Sequence, residues 1–157
     1  MNIREALETA IKYETKIRDI YRDATGMSVD DKTKRLLELL AKQEQLHLTH
    51  LRNSYARLNE TGKLDNFESD QEGWANLTSP SLDSAKHKIE DSADRKKLYE
   101  ILKTLLEAEQ ETFRFYAGLR DSLPEKQARY FNRFVENEKS HVRMILDKLK
   151  EFEKPEE

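Results

Sequence analysis

The sequence predicts an all-α protein: a four-helix bundle of two antiparallel hairpins joined by a long crossover. Three observations point there. Charged residues make up 38% and hydrophobic residues 36% of the chain, with only four Gly and three Pro, a balance that suits long amphipathic helices. Four segments carry apolar residues at alternating steps of three and four, the period of one helix face. Their connections are two short turns and one long polar stretch, as expected when one helical hairpin must be brought beside another. At 157 residues the chain forms one domain over 1–157, because a single hairpin would be too small to bury a core of its own.

The first helix is predicted over about 3–24, with Asn2 as N-cap and Gly26 as the stop. The second runs over about 29–58, capped by Ser28 and ended by "NETGK". The third spans about 93–121. The fourth spans about 124–153, opened by "SLPEK", in which Ser122 and Glu125 form a capping box around Pro124. The crossover, about 59–92, is polar and turn-rich, with one short helix near 82–89 and with Phe67, Trp74 and Leu77 as anchors to the bundle.

The inward stripes carry the chemistry. The first helix presents Ile3, Leu7, Ala10, Glu14, Ile17, Tyr21 and Ala24, and the third presents Leu98, Leu102, Leu105, Glu109, Thr112, Tyr116 and Leu119. Each has one carboxylate among apolar residues. The second presents Leu37, Leu40, Glu44, His47, Leu51, Tyr55 and Leu58, and the fourth presents Phe131, Phe134, Glu138, His141, Ile145, Leu149 and Phe152. Each of these has a Glu and a His one turn apart. The halves repeat one another: Glu109 follows Glu14 by 95 positions and Glu138 follows Glu44 by 94. Counted from the tight turn at 122–124, Glu109 and Glu138 are almost level, so all four acids can meet at mid-bundle.

Four buried carboxylates repel one another, and each is costly to bury unpaired. No Lys or Arg lies on these stripes. Two divalent cations resolve both difficulties, with His47 and His141 as neutral nitrogen ligands. With no cysteine in the chain, disulfides, thiol catalysis and thiolate-bound clusters are excluded, and oxygen and nitrogen donors suit iron, with manganese fitting the same set. His50, beside the stripe, and His87, among the lysines of the crossover, are read as non-ligands.

The pattern Glu14…Glu44-x-x-His47…Glu109…Glu138-x-x-His141, together with the long crossover, resembles the ferritin-like superfamily, and within it the rubrerythrin-like di-iron proteins. "YETKIRDIY" and "AEQETFRFY" are similar to the first and third helices of that branch. The resemblance implies two iron ions, with Glu14 and Glu109 as terminal ligands, Glu44 and Glu138 as bridging ligands, and one imidazole per iron from His47 and His141. Tyr21 and Tyr116 are expected beside these ligands, either as plain core packing or in a catalytic role, hydrogen-bonding the ligands or relaying electrons. Two departures stand out. Rubrerythrins carry a cysteine-ligated rubredoxin-like domain that this sequence lacks, so electrons are expected from another protein, a rubredoxin-like donor or a reductase. They also place an extra carboxylate one turn after the third-helix Glu, where this chain has Thr112.

The function so implied is a cytoplasmic non-haem di-iron oxidoreductase that reduces hydrogen peroxide or dioxygen in oxidative stress, acting as a homodimer. The alternatives are a ferroxidase tied to iron storage or delivery, and a bundle that senses iron or oxidants without turnover. Ferritin-type subunits add a short fifth helix, and only "KPEE" follows Glu153, which argues against a cage. A net charge of −3 with mixed signs offers no basic face for nucleic acid or an anionic membrane, and no apolar run suits a signal peptide or a membrane span.

Overall fold

The computed structural model describes residues 1–27, 31–64 and 92–153. The described residues are all-α: α1 Ile3–Thr25, α2 Asp31–Thr61, α3 Ser92–Ser122, α4 Glu125–Tyr130 and α5 Asn132–Glu153. The Ser28 cap, the short helix at 82–89, Phe67, Trp74, Leu77 and His87 lie outside the described residues.

Local chemistry explains the helix ends. Asn2 accepts from the Glu5 backbone N–H while the Glu5 carboxylate accepts from the Asn2 N–H, a reciprocal capping box that opens α1. The chain leaves α1 at Gly26, as expected, but in a right-handed conformation with φ −76°. α2 ends at Gly62, whose φ of +74° is the left-handed conformation that a side chain resists.

Two expectations are corrected. Ser122 does not cap the following helix: it is the last residue of α3, and its hydroxyl donates to the Gly118 carbonyl at 2.9 Å. The N-cap of α4 is Pro124, which has no polar side chain to offer. The fourth segment is also not one helix, because it breaks at Phe131 between α4 and α5. There the Phe131 N–H donates to Ala128, three residues back, before the regular pattern resumes with Val135 to Phe131. The adjacent Tyr130 and Phe131 are both buried. Their rings meet inside the bundle, 5.0 Å apart and edge to face.

The side-chain contacts give the helix directions. On α1 and α2, Arg4 bonds Asn59, Glu8 accepts from Tyr55, and Arg18 and Arg22 reach Gln45, so the two run antiparallel. α1 and α3 also oppose, with Tyr13 against Phe115 and Tyr21 against Glu109. α3 opposes α5, with Arg95 and Tyr99 at Phe152 and Tyr116 at Phe134. α2 opposes α5, with Gln43 at His141 and His50 at Phe134.

Two apolar clusters fill the interior. One gathers Ile17, Leu37, Leu40, Leu98, Leu105 and Ile145, and the other gathers Leu7, Leu51, Leu119, Phe131 and Phe134. Burying each such side chain contributes about 1.5–3 kcal/mol. The predicted acids and histidines sit on the same four helices between the residues of these two clusters. No described helix is long and apolar enough to cross a membrane.

Candidate metal centre

Glu14, Glu44, His47, Glu109, Glu138 and His141 are all 0% exposed. α1 supplies Glu14 and α3 supplies Glu109, each from the middle of an apolar stripe; α2 and α5 supply the Glu-x-x-His pairs, in which a spacing of three puts both side chains on one face. The six side chains, predicted from four separate stretches of sequence, converge on one layer.

They converge as two overlapping groups, each able to hold a metal ion. Glu14, Glu44, His47 and Glu138 form one, and Glu44, Glu109, Glu138 and His141 form the other, with ligand atoms within 4.8 Å of one another in each. Glu44 and Glu138 belong to both. The Nδ1 of His47 lies 3.6 Å from Glu14 Oε1, 3.4 Å from Glu44 Oε2 and 3.8 Å from Glu138 Oε1. The Nδ1 of His141 lies 3.0 Å from Glu44 Oε1, 3.3 Å from Glu109 Oε1 and 3.9 Å from Glu138 Oε2. Atoms bound to one ion at about 2.0–2.2 Å are themselves about 3–3.5 Å apart at tetrahedral or octahedral angles. The two imidazoles lie nearly parallel, with centroids 6.2 Å apart.

Hydrogen bonding is incomplete in this layer. Oε2 of Glu14 and of Glu109, both oxygens of Glu44 and of Glu138, and Nδ1 of His141 make no hydrogen bond. Buried polar atoms without partners are rare in folded proteins and ask for an explanation. Oxygen and nitrogen donors gathered around common centres are what a cation requires, so the donor set could hold metal ions.

Electrostatics agrees. Burial first, then Glu14 and Glu109, pushes Glu44 well above the ordinary carboxylate range. Glu138 is raised likewise, by burial and then by Glu109, Glu14 and Glu44. At Glu14 burial pushes upward too, but Glu44, His47 and the Tyr116 hydroxyl outweigh it and hold the carboxyl at about 2. Burial pushes His141 downward, and Glu109 and Glu44 overcome it to raise the imidazole to about 10. Two extra protons and a charged imidazole are the metal-free answer to four carboxylates in one place, and cations displace such protons.

Tyr21 and Tyr116 both reach the layer, in a crossed arrangement. The Tyr21 hydroxyl donates to Glu109 Oε1 and the Tyr116 hydroxyl to Glu14 Oε1, each at 2.8 Å and fully buried. Burial and the facing carboxylates raise both phenols well above their usual value, so both stay protonated donors. Thr112 lies on the stripe one turn past Glu109, and its hydroxyl turns back to the Ala108 carbonyl at 2.8 Å. Glu107 and Glu111 are exposed, Glu111 pairing with Lys16 at the surface. His50 packs against Tyr130, with centroids 5.9 Å apart, and belongs to neither group.

One residue of the site was not legible beforehand. Gln43 is buried and its Oε1 lies 3.0 Å from His141 Nε2. The faint signal for it is positional: Gln43 precedes Glu44 as Asn137 precedes Glu138. Comparison of the chain with family models, curated proteins and solved structures returns no match. The site's own chemistry therefore carries the functional reading.

Proposed function

We propose that the chain is a non-haem di-iron oxidoreductase of rubrerythrin-like type, built on a ferritin-like bundle, that reduces hydrogen peroxide or dioxygen. The observation that carries this reading is the sharing of Glu44 and Glu138 between the two candidate groups, which supports a site for two ions rather than for one. Antiparallel α1/α2 and α3/α5 pairs, with α2 and α3 running the same way, support the ferritin-like arrangement. Two iron ions bound there would supply electrons and Lewis acidity to a small oxidant. The protein's part is to hold Glu14 and Glu109 as terminal ligands through the Tyr116 and Tyr21 hydroxyls, to keep Glu44 and Glu138 free of competing hydrogen bonds, and to exclude bulk water. Re-reduction falls to an external donor such as a rubredoxin-like protein or a reductase, with the chain acting as a homodimer.

The test is stopped-flow mixing of the reduced, iron-loaded protein with peroxide and with dioxygen. Oxidation much faster than that of free ferrous ion is expected. A rate no faster than free ion defeats the proposal.

A second reading, ferroxidase activity coupled to iron storage or delivery, is favoured by Thr112. With its hydroxyl engaged by Ala108, the position offers no additional carboxylate toward which an iron could shift. Aerobic loading with excess ferrous iron separates the two: accumulation far beyond two ions per chain, in a particle of cage dimensions by light scattering, supports storage, whereas saturation at two supports the oxidoreductase.

A further inference from the structure

Gln43 stands one residue before a shared carboxylate, yet its side chain serves the opposite helix. From α2 it crosses to α5, where its Oε1 lies 3.0 Å from the Nε2 of His141, both groups being buried. An amide oxygen can only accept, so the imidazole must carry a proton on Nε2 to make this bond. A neutral imidazole has one N–H and one lone pair, and a proton fixed on Nε2 leaves the lone pair on Nδ1. That is the nitrogen 3.0 Å from Glu44, 3.3 Å from Glu109 and 3.9 Å from Glu138. A ring flip would lose the Gln43 bond and turn carbon toward the carboxylates.

We infer that Gln43 is a positioning residue that locks His141 in the Nε2–H tautomer and aims its Nδ1 into the group formed with Glu44, Glu109 and Glu138. The assignment rests on the metal-centre reading above. Its specificity to one half is visible in the other: Asn137, the counterpart of Gln43, is one methylene shorter, and its Oδ1 makes no hydrogen bond. Support of this kind, from a group bonded to the far nitrogen of a metal-binding histidine, typically changes metal affinity by roughly 10–100-fold.

The probe is zinc(II), which is diamagnetic, titrated into wild type and Gln43→Met in competition with a chromophoric chelator. Methionine keeps the length and apolar body of the side chain and removes the acceptor. The expected result is two zinc ions per wild-type chain, with one of the two weakened roughly 10–100-fold in the variant. In parallel, 15N-histidine NMR of zinc-loaded wild type should show His141 with a proton on Nε2 and a zinc-shifted Nδ1; this arm decides the matter even if the variant does not fold. Equal affinities in the two proteins, or a proton on Nδ1 of His141, overturn the role of Gln43 and leave the metal centre standing. Wild-type protein that takes up no zinc, ferrous or manganous ion overturns the metal centre itself.

Discussion

Replacing Glu138 by methionine should make the metal-free protein more stable while removing its response to metal. Glu138 is fully buried, both of its oxygens lack hydrogen bonds, and the nearest imidazole nitrogens are 3.8 and 3.9 Å away. A buried polar group in that condition costs about 1–3 kcal/mol. Methionine has nearly the same length, adapts its shape and has no polar atom to satisfy. For a chain of this size each kcal/mol moves the melting temperature by about 2–4 °C, so Glu138→Met should melt roughly 2–12 °C above wild type in excess chelator. With ferrous or manganous ion at about 100 times Kd, wild type should gain about 2.7 kcal/mol for each site filled. The variant has lost a carboxylate common to both groups and should gain much less, so the order of stabilities narrows or inverts. Differential scanning calorimetry with and without metal measures both arms. A variant less stable than wild type without metal would refute the reasoning, since it would mean that the carboxylate is satisfied by the protein alone. So would an undiminished metal-dependent rise.

Other expectations follow from the same geometry. In the metal-free protein Glu44, Glu138 and His141 bind their protons more tightly folded than unfolded, so the stability they contribute is complete at low pH and lost as pH rises, for His141 between 6.5 and about 10. Glu14 works in the opposite sense, its contribution being lost only as pH falls from 4.5 toward about 2. Melting temperature in chelator should therefore decline from about pH 6 to pH 10, and a rise over that window would contradict the assignment. Tyr116→Phe removes the 2.8 Å bond to Glu14 and should cost about 1.5–3 kcal/mol in urea unfolding of the metal-free chain, with Tyr21→Phe comparable at Glu109. Gly62→Ala has open space around the new carbon, so only the backbone at φ +74° opposes it, at about 1–2 kcal/mol; a neutral result would show that the end of α2 relaxes freely.

Most of the bundle could be read from the stripes because amphipathic period and burial are the same physics seen from two sides. Every residue of the third stripe, Leu98 to Leu119, is buried. The six acids and histidines were legible for a related reason: a charged group inside an apolar stripe is an anomaly, and four anomalies recurring at matched spacings imply a common cause. What escaped was of two kinds: local departures that leave the apolar period intact, and bonds to partners distant in sequence. The break at Phe131 leaves the apolar period undisturbed, since the segment continues in phase beyond it. Ser122 has a capping residue's chemistry, but it is still inside α3, where its hydroxyl donates to a carbonyl four residues back instead of accepting from the next helix. Tyr21 and Tyr116 were placed correctly on their faces, yet seven residues of helix is a rise of about 10.5 Å, too far for either phenol to bond its own helix's glutamate. Only the antiparallel packing of α1 on α3 reveals which carboxylate each one meets. Gln43 was hidden in the same way, by a bond whose other end lies 98 residues along the chain.

The crossing of the two phenols has a consequence for how such a centre can be assembled. Each half of the chain brings a buried carboxylate and a phenol, and each phenol is used by the other half's carboxylate. Two copies of a single hairpin facing each other across a dyad would make the same pair of bonds and would supply all six ligands. Neither bond needs the halves to be covalently joined. An α1–α2 or α3–α5 hairpin expressed alone should therefore be tested as a self-complementary unit, because the reciprocity that binds one half to the other is the reciprocity that would bind a hairpin to its twin.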